Sequence, residues 1–210
     1  MNEIKSLNRV SAFGEVYTNV SEVKKMVDLV GDEAERIDSK FLEPACGNGN
    51  FLIEILTRRF NLLNARYKKN QFDFDRYLLI AVSSMYGIDI LEDNVEECRN
   101  RLKSFCDDQY KKIYKSIDDD YMMSLDFILK KNILCGDAIS LKDNNNQPII
   151  FTEWSFIGDF KVKRREYKFD DLLAYQPSKT SDLFSDLNED AFIPPCLKEY
   201  QPVHYLKIHE

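Results

Sequence analysis

The chain has 210 residues, 29 of them Lys or Arg and 36 Asp or Glu, for a net charge of −7. That length suits one domain, alone or with an extension, and a hydrophobic share of 44% supplies a sizeable core and excludes global disorder. No apolar run is long enough to cross a bilayer and the N-terminus carries no apolar leader, so a soluble, cytoplasmic protein with no membrane partner is expected, and an acidic chain is no general polyanion binder.

Helical spacing begins after Asn19-Val20-Ser21-Glu22, where Asn19 reads as an N-cap and Val20, Val23, Met26, Val27 and Val30 recur on one face up to Gly31. Phe41 and Leu42 open a short strand that ends in Pro44-Ala45-Cys46-Gly47-Asn48-Gly49-Asn50. A helix follows with Phe51, Leu52, Ile55 and Leu56 on one side and Arg58 and Arg59 near its end. Residues 75–85 read as a helix, 86–90 as a strand, 92–114 as a helix, and 121–129 as a helix that Asp120 caps. Residues 132–136 read as a third strand, ending at Asp137. This alternation predicts an α/β protein with a parallel sheet and helices on both faces. Ligands of such sheets bind beyond the carboxyl ends of the strands.

After a polar loop at 143–147, residues 149–157 and 160–169 form two extended runs around Gly158-Asp159, a hairpin signal. From Asp170 to Asp190 there are six acids against one lysine, and Pro177, Pro194, Pro195 and Pro202 punctuate the remainder. This part reads as an irregular tail that is poorly packed or wraps the body. The expected division is a ligand-binding domain at 1–140 and a hairpin with an acidic extension at 141–210.

Three features carry chemistry. Two glycines two apart, Gly47 and Gly49, let main chain approach a ligand, and the helix after them aims free N–H groups at the same place. Asp89, at the end of the second strand, has the position of a carboxylate that accepts ribose hydroxyls. Asp137 follows Gly136 at the end of the third strand, where a carboxylate would accept from an exocyclic amine. Each has a plain alternative: a tight strand-to-helix turn, a helix-capping Asp, and a turn Asp. Five scattered cysteines without a CxxC pair, and histidines only at 204 and 209, argue against a metal site, a disulfide framework or a histidine-activated nucleophile.

Taken together, Gly14-Glu15-Val16-Tyr17-Thr18, Phe41 to Phe51, Tyr86-Gly87-Ile88-Asp89-Ile90 and Asn132 to Ala138 resemble the S-adenosylmethionine-dependent N6-adenine DNA methyltransferases. The likeness is to the methylase subunits of restriction–modification systems, over roughly residues 10–140. It implies a Rossmann-like class I methyltransferase fold that binds S-adenosyl-L-methionine. By that resemblance Tyr17 and Thr18 contact the methionine end of the cofactor. The turn from Glu43 through Pro44, Ala45, Cys46, Gly47, Asn48 and Gly49 to Phe51 lines its methionine and ribose. Asp89 takes the ribose hydroxyls, Ile90 packs on adenine, and Asp137 and Ala138 face the adenine amine and ring.

Members of that family transfer the methyl group with a later Asn/Asp-Pro-Pro-Tyr/Phe motif, which holds a flipped adenine. The only Pro-Pro here is Ile193-Pro194-Pro195-Cys196. Ile193 accepts no hydrogen bond and Cys196 stacks on no base, so no catalytic residue is assigned. The resemblance therefore implies the cofactor-binding half of an incomplete fold. The first strand would have an open edge, covered by the hairpin, a second polypeptide or another copy. Such a chain would be an enzyme that takes its acceptor motif from a partner, or a non-catalytic accessory or cofactor-sensing subunit. Lys161, Lys163, Arg164, Arg165 and Lys168 form the one basic run, near Trp154, Phe156, Phe160 and Tyr167. That run reads either as a DNA-contacting groove or as a solvated outer face.

Overall fold

The computed structural model describes residues 7–13, 15, 18–174 and 194–210. A short helix α1 (Leu7–Phe13) precedes α2 (Val20–Leu29) and α3 (Asp32–Glu35). The central part then runs β1 (Phe41–Glu43), α4 (Asn50–Tyr67), α5 (Gln71–Ser83), β2 (Met85–Asp89), α6 (Glu92–Tyr114), α7 (Asp119–Asn132) and β3 (Ile133–Cys135). The hairpin β4 (Ile150–Ile157) and β5 (Lys161–Lys168) leads into α8 (Phe169–Ala174). Beyond it come the two-residue strands β6 (Lys198–Glu199) and β7 (Val203–His204) and a 3-10 turn at Tyr205–Lys207.

Local chemistry accounts for the helix boundaries. Asn19 caps α2 by accepting from Ser21 N–H at 2.9 Å, as its sequence predicts. Asn70 caps α5 four residues earlier than the apolar spacing suggests, and Asp118 rather than Asp120 caps α7. The helix α4 does not end near Arg59. It runs on to Tyr67, and Arg59 lies fully buried within it. Its guanidinium donates to Ala81 O and Ser84 Oγ, both at 2.7 Å, and to Ser39 O. Burial lowers its pKa to about 10. A buried cation on three acceptors ties the approach to β1 to the approach to β2.

The strands β1, β2 and β3 pair in parallel in that order, with Phe41 opposite Met85 and Asp89 opposite Cys135. Alternation sends Phe41, Met85 and Ile133 to one face, where they share a single apolar cluster with helices α2 to α7. Tyr86, Ile88 and Leu134 point the other way, against Ile149, Phe151 and Phe169. On that second face the helical cover reduces to the six-residue α8, and the hairpin base and the loop at 138–149 do the rest.

The hairpin forms where predicted, but Ile157 pairs with Lys161, so three residues, Gly158 to Phe160, make the turn. The residues from 194 onward wrap back on the body: β6 and β7 pair with β5, and Tyr205 and Ile208 enter the main core. Trp154 joins the hairpin to the sheet by donating to Asn132 Oδ1 at 2.9 Å, and Asn132 Nδ2 donates to Ser83 O and Met85 O. Among the described residues no strand pairs with the outer edge of β1. Beside it is a cavity of about 460 Å³ lined by Phe41, Leu42, Tyr86, Phe151, Phe169 and Leu172.

Candidate functional site

The glycine turn between β1 and α4 lies against the end of β2. Cys46 N–H donates to Ile88 O at 2.8 Å and Gly49 N–H closes the turn on Cys46 O at 2.8 Å. Gly47 and Gly49 have φ of +50° and +89°, a region that favours glycine. A Cβ on Gly49 would also sit 2.6 Å from the Cys98 sulfur, so the position admits no side chain as packed. Asp89 points into this turn: its Oδ2 accepts Gly47 N–H at 2.8 Å. Its Oδ1 accepts Leu91 N–H at 2.9 Å and Asn94 Nδ2 at 3.3 Å.

One face of α6 braces the turn from behind. Asn94, Glu97, Cys98 and Arg101 stand three, four and seven residues apart, the spacing of one helical face. Glu97 accepts Asn48 Nδ2 at 3.1 Å, and Arg101 donates to Asn48 O at 2.5 Å and to Asn50 Oδ1 at 3.0 Å. Asn50, the first residue of α4, reaches the amino-terminal segment through Thr18 O at 3.1 Å. Asn48 is buried, and its Oδ1 has no donor among the described residues. A buried acceptor left open in this way is a place for a ligand donor or an ordered water.

The titratable groups divide by environment. Burial raises the Glu43 carboxyl above its usual range, offset in part by a hydrogen bond from Ala45 N–H. A hydrogen bond with Cys98 first, and burial second, push the Cys46 thiol far up. It is a packing group under the turn and no thiolate nucleophile. Glu15, Glu43, Asp89 and Asp93 give this end of the sheet an acidic lining, with Arg9 and Arg101 as its cations.

A family model for the MmeI DNA-methyltransferase domain matches residues 19–155, more than half of the chain. The chain belongs to that family. No curated protein sequence matches it. The MmeI-type domain is thus a DNA-methyltransferase domain of the restriction–modification kind, a mixed α/β structure in which the turn at 43–51 and Asp89 both lie inside the matched residues.

Around this MmeI-type site the structure brings together some of the sequence-predicted residues and separates others. Pro44, Ala45, Cys46, Gly47, Asn48 and Gly49 form one turn under Asp89, while Phe51 packs against the main core. Ile90 is half exposed beside Asp89, an apolar surface at the mouth. Tyr17 lies outside the described residues. Gly136 N–H donates to Asp89 O at 2.9 Å, which places Asp137 near the same end of the sheet. Asp137 is half-buried, and its carboxyl, held low chiefly by Ile139 N–H, closes its own turn. Ala138 packs on the second face, against the cluster of Ile88 and Ile149.

The basic run at 161–168 is partly neutralised. Lys163 pairs with Glu199 at 2.8 Å, Arg165 lies 3.7 Å from Glu153, and Arg164 stacks on Tyr200 at 3.5 Å. Lys161 is exposed at the start of β5, and Lys168 is half-buried at its end. The bracing set on α6 is absent from the sequence reading, which gives 92–114 only as a helix. Its sequence trace is the recurrence of Asn94, Glu97 and Arg101 on the face that carries Cys98.

Proposed function

We propose that this MmeI-type domain binds S-adenosyl-L-methionine at the glycine turn and serves methylation of the adenine N6 amine in DNA within restriction–modification. The finer fold assignment is a class I methyltransferase sheet of which this chain holds the cofactor-binding half. The observation that carries the reading is the bond from Gly47 N–H to Asp89 Oδ2, because it sets a carboxylate and open main chain at one point beyond the strand ends. The residues suit the cofactor. Glu43 and Asp89 offer negative charge to a sulfonium and acceptors to a sugar, Ile90 offers an apolar wall, and Asn48 Oδ1 offers an open acceptor. Bound there, the cofactor supplies an electrophilic methyl group on its sulfur. Tyr17 and Thr18 would close the methionine end, and Asp137 would meet the adenine amine.

A second reading, an accessory or cofactor-sensing subunit that depends on a partner, also has an observation behind it. Pro194 of the only Pro-Pro pair lines the cavity beside β1, not the glycine turn, and Cys196 is exposed. Transfer to DNA therefore calls for an acceptor motif outside these 210 residues, and a second polypeptide is the source proposed for it. That polypeptide, or another copy, would cover the open edge of β1, with DNA engaged in the complex. No metal is part of this reading.

Calorimetry with S-adenosyl-L-methionine tests it. A Kd on the order of 1 µM is expected, abolished in a variant carrying Asp89→Ala and Gly47→Val. Labelled methyl transfer to unmethylated DNA by the purified chain alone is expected to be absent. Heat-free titration at millimolar cofactor would end the cofactor reading, and transfer by the chain alone would end the dependence on a partner.

A further inference from the structure

The sugar-binding role proposed for Asp89 requires that its carboxylate hold one orientation, and Asp89 does not fix that orientation alone. Asn94, in the first turn of α6, is 1% exposed. Its Nδ2 donates to Asp89 Oδ1 at 3.3 Å and to Glu15 Oε1 at 2.7 Å. Its Oδ1 accepts from Arg9 Nη2 at 3.3 Å. Arg9 in turn holds both oxygens of Glu15 and reaches Asp93 Oδ2 at 2.7 Å. The amide lies between two carboxylates and a guanidinium, and it serves all three.

Few other side chains meet that demand. An amide has two N–H donors for two carboxylates and one oxygen for the guanidinium. A carboxylate at 94 would repel Glu15 and Asp89, a lysine has no acceptor for Arg9, and an aliphatic chain leaves buried polar atoms open. The side chain of Glu15 is only 7% exposed, and its charge is tolerated there because Arg9 balances it. The network also spans the chain: Glu15 lies 79 residues before Asn94, and three residues after Glu15 the carbonyl of Thr18 is held by Asn50. The amino-terminal segment is thus joined to α6 through Asn94 and to the start of α4 through Asn50.

We infer that Asn94 is the positioning residue that aims Asp89 at the cofactor sugar, coupling that carboxylate to Glu15 and Arg9. This rests on the cofactor reading above and adds a specific consequence to it. Asp89 Oδ2 takes one protein donor, Gly47 N–H, while Oδ1 takes two, Leu91 N–H and Asn94. The lone pair left on Oδ2 faces the ligand side only while Oδ1 is anchored. Without Asn94, Oδ1 keeps only Leu91 N–H, the carboxylate is held less firmly about its last bond, and recognition of the sugar suffers before recognition of the rest of the ligand.

The test is calorimetry of the whole chain with two probes, S-adenosyl-L-homocysteine and its 2′-deoxy counterpart. The wild-type chain is expected to prefer the ribose form by about 10-fold, the worth of one hydrogen bond to a charged group. Asn94→Leu is expected to bind the ribose form about 10-fold more weakly and to lose the preference, while binding of the deoxy form changes little. A variant that merely loosens the fold would weaken both probes alike and keep their ratio, and that result overturns the inference. Glu15→Gln acts from the far end of the network and is read in its place if Asn94→Leu does not fold. A reduced ratio supports the inference and an unchanged ratio overturns it. Failure of the wild-type chain to bind either probe removes the cofactor reading and this inference together. Binding with an unaltered ratio in the variants removes only the inference.

Discussion

At the carboxyl ends of β1 and β2 the turns are held by polar contacts from α6: Asn94 to Asp89, Glu97 to Asn48, Arg101 to the Asn48 carbonyl. At the outer edge of β1 the same sheet meets a cavity of about 460 Å³ with a largely apolar lining. The two regions are a few residues apart on one strand, yet one is built for a fixed shape and the other is left unfilled by the described residues. Directional bonds hold main chain to fractions of an ångström, which a ligand site needs. Apolar surface with an open strand edge is non-directional and suits association with another chain.

Breaking the braced region is expected to be the most damaging. Gly49→Val places a branched side chain at φ +89° with its Cβ 2.6 Å from Cys98 Sγ. Strain and overpacking together should cost about 4 kcal/mol, read as a shift of the urea midpoint, with cofactor binding lost. Next comes the joint between the regions. Asn132→Ala frees Ser83 O, Met85 O and Trp154 Nε1 inside the core, and unfolding in urea should show a loss of about 3 kcal/mol.

A third effect depends on pH. Burial raises the Asp75 carboxyl to about 6, above its ordinary value, although Tyr110 O–H donates to it. A carboxyl with a raised folded-state pKa holds its proton more tightly folded than unfolded. That contribution is full below pH of about 4 and lost as pH rises through about 6. Thermal melts of the wild-type chain should carry this downward component between those values, and Asp75→Asn should remove it. The smallest effect is expected at the open edge. Leu42 is 39% exposed, so Leu42→Thr should alter stability by no more than about 0.5 kcal/mol. A loss of several kcal/mol there would mean that the edge is already covered in solution, by a second copy.

How much of this was legible in the sequence follows from how local each signal is. The Gly-Asn-Gly turn, the Asn19 cap and the three strands rest on neighbouring residues, and each is found within a residue or two of its predicted place. The sequence reading places Arg59 near the end of its helix, and no local signal marks it as buried. Its acceptors, Ser39 O, Ala81 O and Ser84 Oγ, come together only in the fold. The strands β6 and β7 have two residues each, too short for any periodicity, and owe their existence to β5. Asn94, Glu97 and Arg101 carry no site signal in the sequence. Polar residues at helical spacing carry the same pattern whether they face water or a buried turn.

The central claim is that the turn at Gly47 and Gly49, with Asp89, is where the chain takes a nucleoside. A crystal structure of the chain with S-adenosyl-L-homocysteine tests it most directly. The account predicts the ligand's ribose within hydrogen-bond distance of Asp89 and its amino-acid end over the main chain of residues 45–49. A ligand seated instead in the cavity beside β1, with Asp89 touching only protein atoms, would contradict it.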